Sequence, residues 1–268
     1  MRSVVVRAAT CGLVLALAAL AGGCGGKKKY AGLGGELLGP TIAYREGMEQ
    51  LSRHNLPQAI GTLGRIQYTP ETLEDIEPLA RLAVADATFY QGNQLALIDA
   101  RSLYLDFVTL YGDHPLAPYA QTQAGLCSLR QVNHPSKDQT QTQYALSELL
   151  EVVRRYPDSA YAEVARTLSR SARANLAETE FIVGRFYAKK KKNLAALERF
   201  NTVLDEYPEY PETDKILYYM GRTLLRMKNE TKGRIYLGQL VHDYPDGDYA
   251  QPARKLLERE GAGEDSTQ

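Results

Sequence analysis

Four histidines, three cysteines and 32 acidic side chains make up the catalytic repertoire of this chain, and they do not converge. His114 and His134 each precede a proline in a turn, His54 precedes the turn of a helical pair, and His242 lies late in a helix. No two of them share a spacing that would ligate a metal or relay a proton. No HExxH, paired CxxC or Gly-x-Ser-x-Gly segment occurs. The acidic residues are distributed as solvated helix faces. Cys127, beside Gly125, Leu126 and Leu129, reads as a small buried hydrophobe rather than a nucleophile. What does recur at a useful spacing is positive charge. Arg185 and Lys189 form an i, i+4 pair, as do Arg222 and Arg226, so each pair shares one helix face. Such residues recognise anions without transforming them, so the chain reads as a non-enzyme with no cofactor and no metal.

Cys24 is the residue marked for covalent chemistry. Arg2 and Arg7 make a positive leader, and Leu13 to Leu20 an apolar run too short to span a bilayer. Ala21, Gly22 and Gly23 then place small residues before Cys24, as a bacterial lipobox does, with the leucine one position early. An ordinary signal peptide cut elsewhere is the alternative. A lipidated Cys24 would carry several acyl chains, enough for stable anchoring. Gly25 rather than aspartate follows it, so the expected location is the periplasmic face of the outer membrane.

These landmarks divide the chain. Residues 1–23 read as the signal peptide and 24–40 as the lipidated cysteine with a flexible tether. Residues 41–260 read as a helical domain and 261–268 as a disordered tail. As flexible coil the Gly-rich tether would reach about 20–25 Å. Lys27, Lys28 and Lys29 either meet anionic headgroups or simply solubilise the linker. Basic and acidic residues balance at 32 each, which argues against nucleic acid as a partner.

The elements that must position the cations are helices. Between Leu176 and Pro208, the residues Gly184, Ala196, Phe200, Val203 and Pro208 stand at positions 8, 20, 24, 27 and 32 of a unit of about 34 residues. That is tetratricopeptide repeat spacing. Gly184 and Ala196 are small where two antiparallel helices cross, Phe200 and Val203 with Tyr187 fill the contact to the next unit, and Pro208 ends the second helix. One such pair cannot bury its apolar faces alone, so neighbours are required.

They are present. Gly47, Ala59, Leu63, Ile66 and Pro70 repeat the offsets after Thr41, a good N-cap. A looser second unit runs from about Leu79 to Pro115, with Ala100, Tyr104 and Phe107 in its second helix and an insertion expected in its first. A third has its first helix over 119–131, an expanded polar loop, and a second helix carrying Ala145, Leu149, Val152 and Pro157. Tyr161 to Arg173 is surplus, an extension or an extra helix before the fourth unit. Gly221, Gly233, Leu237, Leu240 and Pro245 mark the fifth, and a polar closing helix follows from Gln251. No alternating β-branched run suggests a strand. The expected fold is an all-α solenoid of about five helix pairs with a C-terminal closing helix.

The inner face of each first helix gives the candidate binding residues. In the fourth and fifth units it carries Phe181, Arg185 and Lys189, then Tyr218, Arg222 and Arg226. Stacked, these would line a basic, aromatic concavity suited to an acidic segment, or form a merely solvated basic face. In the first unit the same offsets give Tyr44, Met48 and Leu51. They would form a groove for a peptide with aromatic anchors, although Leu51 especially also suits the core.

From about Ala43 to Pro245 the chain resembles the BamD-type lipoproteins of the outer-membrane β-barrel assembly machinery. The resemblance rests on Tyr156-Pro157-Asp158-Ser159-x-Tyr161-x-x-x-Ala165 and Leu176-Ala177-x-x-Glu180-x-x-Val183-Gly184-x-Phe186-Tyr187. Ala195-Ala196-x-x-Arg199-Phe200-x-x-x-Leu204-x-x-Tyr207-Pro208 adds to it. The expanded third loop and the lipobox with its short tether also fit. The resemblance implies docking on the POTRA domains of the barrel-inserting subunit. It further implies contacts with other assembly lipoproteins through the C-terminal repeats, and with C-terminal segments of unfolded outer-membrane proteins through the N-terminal ones. It also raises Arg199, one residue before Phe200 and so expected to face outward, as the contact to a POTRA carboxylate. Lipoproteins of other envelope complexes, such as a type IV pilotin or a Tol-Pal-associated protein, are the alternatives, with an envelope-remodelling enzyme further off.

Overall fold

The computed structural model describes residues 35–66 and 76–264. Among them are eleven helices and no strand. In chain order these are α1 (Gly35–Ser52), α2 (Leu56–Ile66), α3 (Ile76–Gln91), α4 (Gln94–Leu110), α5 (Ala117–Leu129) and α6 (Thr140–Arg155). Then follow α7 (Ala160–Lys189), α8 (Asn193–Glu206), α9 (Thr213–Arg226), α10 (Glu230–Asp243) and α11 (Ala250–Glu264). Each helix packs on the one before it, and first helices of successive hairpins also touch. The result is a tetratricopeptide solenoid of five hairpins closed by α11.

The hairpins close on the small residues that the spacing singled out, Gly47, Gly184 and Gly221, and on Gly125, which it did not. A Cβ on Gly47 would lie 2.5 Å from Leu63, on Gly125 2.8 Å from Leu149, on Gly184 2.6 Å from Phe200, and on Gly221 2.6 Å from Leu237. In four of the five hairpins, then, a large residue of the second helix lies on a bare patch of the first. Phe200 therefore fills the crossing within its own hairpin, and also meets Tyr219 of the next one at 6.1 Å. Ala59, Ala100, Ala145 and Ala196 are fully buried at the complementary position. Gly233 replaces alanine there because a Cβ would strike the Leu225 side chain at 2.8 Å.

The ends of the helices repeat as well. Tyr111, Tyr156, Tyr207 and Tyr244 cap α4, α6, α8 and α10, each with φ between −128° and −131° and its N–H donated four residues back. After three of them comes a proline, which disfavours the helical conformation in the residue before it. Between the helices of the first, fourth and fifth hairpins, His54, Lys191 and Lys228 take φ of 61°, 59° and 61°. Lys191 donates to Ala188 O and Lys192 to Tyr187 O, the paired bonds of a helix terminated by one left-handed residue.

Several expectations are corrected. Thr41 is not an N-cap, because α1 begins at Gly35 and passes through it with Pro40 inside the helix. The irregularity of the second unit lies in α4, which at 17 residues is one turn longer than the 14-residue α8 and α10. Of the two readings of the surplus before the fourth unit, the extension holds, since α7 runs unbroken for 30 residues. The expanded third loop is pinned at Gln139, which donates to His134 O and Lys137 O and accepts from Thr142 Oγ1 and from Asn175 of α7. Cys24, the rest of the N-terminal segment and Pro70 lie outside the described residues.

Candidate functional site

Tyr44 and Met48 sit half-buried on α1, against the cluster of Ala59, Leu63, Ala80, Ala83 and Ala87. They line the seam between the first and second hairpins and do not stand free in an open groove. Burial, and then the nearby Asp86, raise the Tyr44 hydroxyl above its ordinary pKa. Leu51 packs on the same cluster, so its core role holds.

Asp86 is the polar centre of this half, and sequence reasoning missed it by assigning acids to solvated faces. It lies on α3 and is 8% exposed. Tyr104 donates to its Oδ1 at 2.6 Å and Tyr119 at 2.8 Å, tying α3 to α4 and α5. Burial pushes the carboxyl up to about 6, against the pull of the two hydroxyls. Tyr119 in turn meets Tyr161 of α7 at 5.6 Å, so the network reaches the fourth hairpin. The available signal was an aspartate inside an alanine-rich run, Ala85-Asp86-Ala87, where only a satisfied acid is tolerated. Nearby, Cys127 is fully buried, and burial pushes its thiol up to about 12, as befits an inert packing residue.

At the other end, the predicted basic row divides. Arg226 donates to Ala188 O at 3.1 Å, capping the end of α7. Burial and then Arg222 lower its pKa. Lys189 is exposed in the last turn of α7, where its charge suits the helix C-terminus. Arg185 and Arg222 lie on rings. Arg185 Cζ is 5.6 Å from the Phe181 centroid, and Arg222 Cζ is 4.7 Å from Tyr219 and 5.5 Å from Tyr218. Beneath them sits a cation that sequence reasoning missed. Lys215, buried, donates to Glu178 at 2.5 Å and Glu212 at 2.7 Å, and lies 4.5 Å from the Phe181 centroid. Burial would lower its pKa, but bonds from Glu178, Glu212 and Tyr210 outweigh that and hold it above its ordinary value.

Arg199 is part-exposed, as its position beside Phe200 required, but it is not unpaired. Its Nη1 donates to Glu180 Oε2 at 3.0 Å across α7 and α8. That bond raises the arginine's pKa. Among the described residues no group of three His, Cys, Asp or Glu could hold a metal, and no helix is long and apolar enough to cross a membrane.

A stack of helical hairpins with charged and aromatic side chains on its first helices is a protein-binding tetratricopeptide scaffold. The chain belongs to the YfiO family of outer membrane lipoproteins, whose model matches residues 39–238. That family is one of scaffolds rather than enzymes. The chain is 28% identical over 254 residues to the outer membrane protein assembly factor BamD of Caulobacter vibrioides, covering 95% of this chain and 82% of the relative. With the BamD of Rickettsia prowazekii it shares 24% identity, covering 91% and 94%. Among solved structures it is similar to the TPR2AB domain of yeast Sti1 in complex with an HSP90 peptide (TM-score 0.41, 11% identity, 83% and 86% covered). A thermophilic TPR protein of Thermus thermophilus is similar at TM-score 0.36 and 14% identity, with 81% and 98% covered.

Proposed function

We propose that this protein is a non-enzymatic scaffold of the machinery that assembles β-barrel proteins in the outer membrane, held at the periplasmic face by lipid on Cys24. The observation that carries the reading is the extent of the family match, which begins in α1 and ends in α10, so all five hairpins take part. A solenoid of stacked hairpins presents extended surfaces and acts by holding other chains.

Arg199 is the residue assigned to the POTRA domain of the barrel-inserting subunit. Its side chain is 42% exposed, and among the described residues its side-chain bond is the one from Nη1 to Glu180. The remaining edge of the guanidinium suits a partner carboxylate gripped by two parallel bonds. Other assembly lipoproteins would engage the C-terminal hairpins. Tyr44 and Met48, half-buried at the seam of the first two hairpins, would contact C-terminal segments of unfolded outer-membrane proteins with their open sides.

Purification of the anchored, full-length chain from envelopes tests this. The barrel-inserting subunit should co-purify with the parent, be lost with Arg199→Gln, and be regained with a compensating change on the subunit. Cys24→Ala should leave the processed protein unable to float with outer-membrane vesicles. Recovery of a secretin or pilus protein in place of the barrel subunit would reject the assembly role.

A further inference from the structure

Seven arginines of the described residues, Arg53, Arg81, Arg101, Arg154, Arg166, Arg173 and Arg199, each meet a carboxylate within 3.1 Å. Arg185 and Arg222 belong to a second set, with Arg130 and Arg155, that enters no ion pair among the described residues and is laid on aromatic rings instead. The rings under Arg185 and Arg222 belong to one connected platform. Phe181 meets Tyr219 at 5.2 Å, Tyr219 meets Tyr249 at 6.2 Å, and Tyr249 meets Tyr218 at 5.1 Å, which carries the platform from α7 across α9 to the start of α11.

We infer that this platform is a docking surface for an extended acidic segment of a partner protein, with Arg185 and Arg222 each receiving one of its carboxylates. A guanidinium held over a ring by cation–π attraction spends none of its N–H donors on that contact. The rings therefore hold each arginine against the platform while leaving its fork for a carboxylate. Two such forks on adjacent hairpins match an extended chain carrying acids at intervals, because the hairpin repeat spaces them regularly. The nearby acids are engaged: Glu178 and Glu212 hold Lys215, and Asp214 Oδ1 accepts the Lys215 backbone N–H. Of the four cations expected here, Arg226 is spent on α7, so the recognition falls to the two stacked arginines, with exposed Lys189 at the margin. The surface does not depend on which envelope complex the chain serves.

The test uses full-length protein in detergent micelles and a fluorescein-labelled peptide alternating glutamate with phenylalanine. A second peptide carries glutamine in place of glutamate. Fluorescence anisotropy should show the acidic peptide binding about tenfold tighter than its neutral counterpart. Arg185→Gln with Arg222→Gln should abolish that difference. Arg154→Gln with Arg166→Gln, the same loss of charge from solvated ion pairs, should keep it. Arg185→Lys with Arg222→Lys preserves the charge without the planar fork and should fall between parent and glutamine variant, which holds the test even if the glutamine variant unfolds. Equal affinity for the two peptides would overturn the inference, as would equal weakening in the Arg154/Arg166 control. So would binding that emerges only when residues 265–268 are deleted, which would give the platform to the chain's own acidic end.

Discussion

The Phe200 ring lies across Gly184, so close that a Cβ on the glycine would come within 2.6 Å of Cε1 and 2.8 Å of Cδ1. A buried ring cannot yield as the end of a flexible chain would. Gly184→Ala should therefore cost about 1–3 kcal/mol, as should Ala196→Leu on the facing helix. Phe200→Ala should cost about 3–5 kcal/mol through the cavity it leaves. Gly238 of α10 provides the contrast, with nothing within 4 Å of its added Cβ. There alanine should stabilise by about 0.5–1 kcal/mol through helix propensity alone. Urea melts of the four variants check the set, and a Gly184→Ala midpoint equal to the parent's would contradict the crossing.

Asp86 makes stability depend on pH. Its folded pKa of about 6 stands above the ordinary aspartate value of 3.8. The folded state thus holds this proton more tightly than the unfolded chain does. The contribution is fully present below about pH 4 and is lost as pH rises through about 6. Asp86→Asn keeps an acceptor for Tyr104 and Tyr119 but removes the titration. Between pH 4 and pH 7 the stability of the parent relative to this variant should fall by about 2–3 kcal/mol. Chemical denaturation of both proteins across that range gives the difference directly. A pH-independent difference would show that the carboxyl is not held in this way.

Lys191 and Lys228 occupy left-handed backbone that disfavours any side chain with a Cβ. The penalty is about 1–2 kcal/mol for an ordinary residue, partly offset by glycine's greater freedom when unfolded. Replacing either by glycine should stabilise by about 0.5–1 kcal/mol, and the two together should add, since they lie in different hairpins. Thermal melts would show it as a rise in midpoint. A fall would mean that the lysine side chains contribute more than their backbone strain costs.

Arg199 and Glu180 test whether surface pairing and partner binding can be separated. The pair is part-exposed, at 42% and 23% of the side chains, so its worth to the fold is about 0–1 kcal/mol. Arg199→Glu alone would set two carboxylates face to face. The exchange of both residues, Arg199→Glu with Glu180→Arg, should return the melting temperature to within a degree or so of the parent's, roughly the scale of a few tenths of a kcal/mol. A partner that reads the position of the guanidinium would still be lost in the exchanged protein. Co-purification measured beside the melts distinguishes the two effects.

The sequence made the solenoid legible because its rule is steric and local. Gly47, Gly184 and Gly221 each sit sixteen residues before the side chain that covers them, and that interval is visible without any coordinates. The Tyr-Pro steps at Tyr156, Tyr207 and Tyr244 were visible for the same reason. The second hairpin was not, because α4 gains a turn at its start and Tyr104 is anchored by a hydrogen bond to Asp86, with no glycine beneath it. Charge was the least legible property. Periodicity placed Arg185, Arg222 and Arg226 on equivalent faces, yet only contacts between elements decide that Arg226 caps a neighbouring helix. Nothing in the repeat pattern marks Lys215, because its partner Glu178 comes from another hairpin.

The unbroken run of α7 gives the molecule a splint. At 30 residues it is about 45 Å long, packed along one part on α6 and along another on α8. A solenoid of separate hairpins can fray from either end one unit at a time, because each joint is a loop. Here the chain still turns between the third and fourth hairpins at residues 156–159, but α7 packs on α6 before it and on α8 after it, so neither hairpin can loosen without disturbing the other. A pull on the third hairpin would therefore reach the fourth through the packed length of α7 and not through the turn alone, and the two would move as one body.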